Sequence, residues 1–215
     1  MGGKLTHSQL AGATSEPLVE DTIGRTFDRT VERFPEHDAL IVRHQGIRWT
    51  YRDYQREVDR LACGLLALGV APGDRVGIWA PNCYEWCLTQ YATAKIGAIM
   101  VCINPAYRLY ELEYALNKVQ CRAIITAEQF KTSDYLGMLR ELAPELAECR
   151  PGQLQAEKLP HLRAVIRMGN GTSPGMFNFG EVCDMGGDPE RTRLRELSSE
   201  LAPGEAINIQ FTSGT

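Results

Sequence analysis

From residue 70 onward, apolar runs at 75–80, 98–103, 123–126, 164–168 and 206–211 alternate with stretches whose apolar residues return every three or four positions, at 83–96, 109–119, 133–143 and 189–201. No other feature of the chain restricts its fold as strongly. A run apolar at successive positions has no polar face to give to water, so each reads as a strand covered on both faces of a sheet. Helices between such strands carry the chain back across the sheet, and right-handed crossovers make the strands parallel. The expected fold class is α/β, a mostly parallel sheet flanked by helices.

Upstream, Ile23, Phe27, Val31 and Phe34 share one face of a predicted helix over 22–34 that Pro35 ends. Two strands, 39–44 and 47–50, turn at Gln45-Gly46. Tyr51, Tyr54, Val58, Leu61, Leu65 and Leu68 then step along a longer helix, with Thr50 placed to cap it and Gly69 to stop it. Asn82 with Glu85 reads as a capping box for the helix at 83–96. The stretches 145–162 and 169–187, rich in Pro and Gly, read as loops. Residues 1–20 resemble neither a secretory signal nor an arginine-rich transit peptide and read as a loose arm, so any targeting segment is expected upstream of Met1.

A net charge of -4 provides no basic field for counterion release, which argues against nucleic acid as a partner. The longest apolar run, 97–103, is far short of the roughly 20 residues of a membrane span. Seven cysteines without a repeating spacing read as free thiols. Cys83 and Cys87 lie four apart but have no second Cys/His pair at zinc-ligand spacing, and His7, His37, His44 and His161 are scattered, so no metal ligand and no catalytic residue is assigned.

Three strand exits stand out. Gly169 to Gly175 has glycines at dinucleotide-like spacing, yet Pro174 and 176–180 do not open into the helix that would meet a pyrophosphate, and Asn170-Gly171 reads as a turn. Trp79, Tyr84 and Trp86 surround the Pro81-Asn82 turn and read as packing. In Asn104-Pro105 the proline forces its predecessor out of helical geometry, making a rigid corner expected to support a neighbouring loop. The chain's final residues, Phe211-Thr212-Ser213-Gly214-Thr215, place three hydroxyls and a glycine after the predicted strand at 206–211, the pattern by which a strand delivers donors to a phosphate; an exposed polar tail is the alternative. No Gly-Lys-Ser/Thr follows, which disfavours an unrelated P-loop.

These pieces together resemble the adenylate-forming (AMP-binding) superfamily of acyl-CoA synthetases, luciferases and peptide-synthetase adenylation domains. Thr50-Tyr51-Arg52-Asp53-Tyr54, Gly69-Val70-Ala71-Pro72-Gly73-Asp74-Arg75-Val76, Pro81-Asn82, Ala94-Lys95-Ile96-Gly97-Ala98 and Asn104-Pro105 follow its order, and Phe211 to Thr215 falls where that family begins its phosphate loop. Within the superfamily, Asn104-Pro105-Ala106-Tyr107, Glu111 to Tyr114, Gln129 to Lys131, Leu159-Pro160 and Ile207 to Thr215 look most like the mitochondrial medium-chain acyl-CoA ligases. The resemblance spans roughly residues 20 to 215, so that 21–215 reads as a partial AMP-binding domain cut within the loop motif.

The resemblance implies an acid–thiol ligase: a fatty carboxylate attacks the α-phosphate of MgATP, giving an acyl-adenylate and pyrophosphate, and coenzyme A then displaces AMP. ATP, Mg²⁺ and coenzyme A are the implied cofactors and a fatty acid the implied partner substrate, in the mitochondrial matrix by resemblance and otherwise the cytoplasm. Thr212, Ser213 and Thr215 would donate hydroxyls, and Gly214 would allow close backbone approach. The family's loop lysine, magnesium carboxylate, ribose aspartate, acyl pocket and mobile C-terminal domain have no counterpart in these residues, so the chain by itself is expected to be inactive. Two alternatives are a non-catalytic interaction module from a truncated transcript and an adenylate-forming ligase for a different carboxylate.

Overall fold

The computed structural model describes residues 17–211 together with Gly12 and Ser15. Most of the arm expected at 1–20 therefore lies outside the described residues; residues 17–20 have no regular secondary structure, and Leu18 is 90% exposed. Helix α1 (Ile23–Arg33) begins where the Thr22 hydroxyl accepts from the Arg25 N–H at 3.2 Å. Strands β1 (Asp38–Val42) and β2 (Ile47–Thr50) form an antiparallel hairpin. Helix α2 (Tyr51–Ala67) starts in a capping box: the Asp53 N–H donates to the Thr50 hydroxyl at 3.2 Å, and the Thr50 N–H donates back to the Asp53 carboxylate at 3.3 Å. It stops at Gly69, whose φ of 76° lets the next N–H, that of Val70, return to the Leu65 carbonyl at 3.0 Å.

The alternating region then runs β3 (Arg75–Trp79), α3 (Tyr84–Ile96), β4 (Ile99–Cys102), α4 (Leu109–Lys118), β5 (Ala123–Thr126), a small hairpin of β6 (Gln129–Phe130) and β7 (Ser133–Asp134), α5 (Tyr135–Leu142), β8 (Ala164–Arg167), β9 (Met176–Asn178), α6 (Phe179–Met185), α7 (Asp188–Glu200) and β10 (Asn208–Gln210). Six strands make one parallel sheet in the order β10-β4-β3-β5-β8-β9. Successive side chains alternate between two cores. Val76, Ile78, Met100, Ile125 and Ile166 pack beneath α1, α2, α3, α6 and α7, whereas Trp79, Val101, Ile124 and Val165 pack beneath α4 and α5. Among the described residues no helix is long and apolar enough to cross a membrane.

Two expectations need correction. The stretch 169–187 is not all loop: β9 adds a sixth strand beside β8, and α6 follows it, with the Asn178 N–H donating to the Glu181 carboxylate at 2.9 Å. The segment 145–162 is a loop, as expected, entered through a 3-10 turn at Pro144–Ala147, and buried Leu146, Leu154, Leu159 and Leu162 tie it to the α5 core. Cys83, not Asn82, precedes the first turn of α3, and the Tyr84 N–H is satisfied instead by the Gln45 side-chain carbonyl at 2.7 Å.

Lys95 joins three helices. It is 8% exposed, and its ammonium meets Asp28 of α1 at 2.8 Å and Asp59 of α2 at 2.5 Å. At the crossing of α2 and α6, Gly64 allows an approach that no other residue would: a Cβ there would lie 1.9 Å from the Val182 carbonyl oxygen.

Candidate functional site

All six parallel strands end at one edge, and the connection from β3 leaves it toward the face opposite to those from its two neighbours, β4 and β5. The chain passes from β3 into α3 on the α2 side, but from β4 into α4 and from β5 into α5 on the other side. Divergent exits from neighbouring strands open a crevice outside the carboxyl ends, where ligands of parallel sheets bind. The amino ends of α3, α4, α5 and α6 face this edge, and several of their first N–H groups are already taken, that of Tyr84 by Gln45, those of Tyr135 and Leu136 by the Glu128 carbonyl and that of Gly137 by Asp134.

One wall is the Asn104-Pro105 corner. The Asn104 side chain accepts from the Ala106 N–H at 2.9 Å, and its backbone carbonyl accepts from the Trp79 indole at 3.1 Å and from the Tyr107 N–H at 3.0 Å. Tyr135 donates its hydroxyl to the Pro105 carbonyl at 2.6 Å. Trp79 and Tyr135 are both fully buried, as the packing reading of Trp79 expects. Burial raises the Tyr135 phenol to about 12, against a downward pull from Arg108, so it remains a donor at neutral pH. Tyr84 and Trp86 are half-buried against the α2-side core.

The corner also reaches the last described residue. β10 pairs with β4 in a register that sets Gln210 opposite Cys102, and the Phe211 ring meets the Tyr107 ring edge-on at 6.5 Å. The strand thus delivers Phe211 to the carboxyl edge beside the corner. Thr212, Ser213, Gly214 and Thr215, the candidate phosphate-contacting residues, lie outside the described residues.

Across the crevice, a cavity of about 280 Å³ is lined by His44, Gln45, Asn82, Glu85, Glu128 and Met168 among others. Gln45 bridges the hairpin to α3: besides receiving the Tyr84 N–H, its amide donates to the Glu85 carboxylate at 2.9 Å. Arg167, only 4% exposed at the end of β8, pairs with Glu128, while its Nε has no partner among the described residues. Burial raises the Cys83 thiol to about 12 and the Cys87 thiol above its ordinary value, so neither is a nucleophile at neutral pH. No group of three His, Cys, Asp or Glu side chains able to hold a metal occurs among the described residues. This arrangement offers a ligand a walled crevice at the carboxyl edge, with Glu85 and Glu128 among the groups that line it.

Trp79, Asn104 and Phe211, separated along the chain, come together at this edge, while the glycines at 169 and 175 flank the entry to β9 instead of a helix. Tyr135 and the Arg167–Glu128 pair were not singled out from the sequence, and Gln45 was read only as part of a turn. Only Arg167 left a signal: a charged residue inside an apolar strand needs a partner.

The AMP-binding enzyme family matches residues 27–215. Over 211 residues the chain is 42% identical to the mitochondrial medium-chain acyl-CoA ligase ACSF2 of Danio rerio, covering 98% of this chain and 35% of that protein. Identity to the Bos taurus protein of the same name is 44% over 209 residues, covering 97% and 34%. A long-chain-fatty-acid-CoA ligase (FadD1) from Archaeoglobus fulgidus has the same fold, with a TM-score of 0.68 and 21% identity over 97% of this chain and 37% of that one. The chain spans about a third of the length of the curated relatives it matches.

Proposed function

The chain belongs to the AMP-binding enzyme family, and on that premise we propose that it serves ATP-dependent activation of a medium-chain fatty acid and its transfer to coenzyme A. The observation that carries this reading is identity of 42–44% to medium-chain acyl-CoA ligases along nearly the whole chain. In the first step a carboxylate oxygen attacks the α-phosphorus of ATP and pyrophosphate leaves; in the second the coenzyme A thiol attacks the acyl carbon and AMP leaves. Both steps depend on holding phosphate oxygens and offsetting their charge.

This chain's part in that chemistry is to position. Thr212, Ser213 and Thr215 donate hydroxyls to the phosphates, and Gly214 lets the backbone approach them. The corner at Asn104, held by Trp79 and Tyr135, steadies the exit of β10 through the Tyr107–Phe211 contact. Magnesium is implied by family chemistry, while among the described residues no group of three His, Cys, Asp or Glu side chains is placed to hold it. The 215 residues alone turn over neither step. The relatives' names place them in mitochondria, and the same compartment is inferred for this chain.

A chimaera tests the reading. The matched third of the Danio rerio ligase is replaced by this chain, and octanoate-dependent AMP and octanoyl-CoA formation are measured alongside thermal melting. Activity retained in the folded chimaera and lost on Gly214→Val supports the proposal. A cooperatively melting chimaera without octanoate-dependent AMP release overturns it, and ATP–pyrophosphate exchange by the 215-residue chain alone overturns the claim that it is inactive by itself.

A further inference from the structure

A second cleft, of about 560 Å³, lies between α2, α6 and α7 and shares no lining residue with the cavity at the sheet's carboxyl edge. Its size suits a small organic ligand. Four guanidinium groups stand on its walls, those of Arg56, Arg60, Arg191 and Arg195, against two carboxylates, Asp59 and Asp184.

Both carboxylates are already engaged. Asp59 faces the Lys95 ammonium at 2.5 Å, and Asp184 pairs with Arg60. Arg56 is held from outside the cleft by Asp53 at 3.0 Å and Glu57 at 3.1 Å. On α7, Arg191 has only a 3.3 Å contact with Asp188, a side chain 96% exposed, and Arg195 meets the Thr192 hydroxyl at 3.1 Å with no carboxylate partner among the described residues. Arg60 is shared between Asp184 and Glu57, so the guanidinium groups least committed to carboxylates are Arg191 and Arg195, one helical turn apart on a single face of α7.

The cleft also has a neutral floor. Leu194, Cys63 and Cys183 line it, and Gly186 lets the end of α6 lie against Cys63, since a Cβ at that glycine would fall 2.3 Å from the Cys63 Cβ. Burial raises both thiols above their ordinary value, Cys183 to about 12, so the floor carries no anion at neutral pH. An apolar floor under a guanidinium rim matches a ligand with a flat uncharged body and a phosphate end, because the planar fork of arginine bonds phosphate oxygens in pairs and stacks on rings.

We propose that the cleft between α2, α6 and α7 binds a phosphorylated small molecule of nucleotide size, led by its phosphates onto Arg191 and Arg195. This site is independent of the ligase reading. It is tested on the 215-residue chain by titration calorimetry and amide hydrogen exchange with ADP, inorganic pyrophosphate and uncharged adenosine. ADP and pyrophosphate are expected to slow exchange across 184–195, and the double variant Arg191→Gln/Arg195→Gln to weaken both by at least about tenfold, as loss of charge-assisted bonds requires. Arg48→Gln, on the distant hairpin, leaves them unchanged, and the melting temperature of each free variant establishes that it is folded. No protection of 184–195 at millimolar ADP, equal affinity in the folded double variant, or adenosine binding as tightly as ADP would each overturn the proposal.

Discussion

The Tyr135 ring lies flat on the Trp79 indole, their centroids 3.6 Å apart and their planes 13° from parallel, and each ring donates a hydrogen bond to one residue of the Asn104-Pro105 corner. Two elements far apart in the chain thus converge on a single bend. Tyr135→Phe keeps the stack and strands the Pro105 carbonyl, and is expected to cost about 1 kcal/mol. Trp79→Ala empties a fully buried site and is expected to cost about 3–5 kcal/mol. Urea denaturation measures both, and equal losses for the two variants would show that the stack contributes nothing beyond the hydrogen bond.

Gly64→Ala is expected to destabilise by about 1–3 kcal/mol, because the new methyl drives α2 away from the Val182 carbonyl. Gly180→Ala, in α6 with nothing near its Cβ position, is expected to be neutral or to stabilise by about 0.5–1 kcal/mol. Thermal melting of the pair separates close approach from backbone entropy.

The acid limb of stability tests the α2 cap. The Thr50 hydroxyl, followed by the Thr50 N–H, holds the Asp53 carboxyl below its ordinary value of 3.8. A lowered carboxyl contributes stability that is full above the unfolded value and lost as pH falls through the folded one. Thr50→Ala is expected to cost about 1 kcal/mol at pH 7 by removing the cap, and the gap from wild type is expected to narrow below pH 3.8. Melting temperatures measured from pH 6 to pH 2 check this; a constant gap would place the effect elsewhere.

Lys95 carries the opposite sign. Burial pushes its ammonium down, but Asp59 and Asp28 outweigh that, and the net value lies above the ordinary 10.5. Its contribution is full below 10.5 and is lost as pH rises through the folded value. Lys95→Met is expected to cost roughly 2 kcal/mol at pH 7, less than for a fully buried pair because the Asp59 side chain is 39% exposed. Denaturant titrations at pH 7 and above 10.5 are expected to show the wild-type advantage shrinking at the alkaline end.

The parts of this fold legible from sequence are those whose cause is local. β3, β4, β5 and β8 announce themselves because a strand covered on both faces must be apolar throughout, and α2 because Thr50 and Gly69 sit at its ends; β10, at the sheet edge, is only three residues long and half-buried, shorter and more polar than an apolar run over 206–211 implies. β9 does not announce itself, since Met176–Asn178 is three residues long, begins just after Pro174-Gly175 and owes its existence to pairing with β8. The Gln45 cap on α3 is supplied from a hairpin 39 residues upstream, and no window along the chain contains both partners. At the candidate site the order of motifs was readable, but the contacts of Tyr135 with Trp79 and Pro105, and of Phe211 with Tyr107, exist only once the sheet has brought their elements together.

The pairing of β10 with β4 has a consequence for how the chain is made. Asn208 lies 106 residues after the Cys102 it borders, so during synthesis β4 emerges long before the strand that covers its outer side. For that interval Met100 to Cys102 present open backbone donors and acceptors, the kind of edge that recruits other chains. The strand that shields this side of the nascent sheet thus leaves the ribosome well after the edge it covers, and the order of synthesis leaves that edge open to misassembly in the meantime.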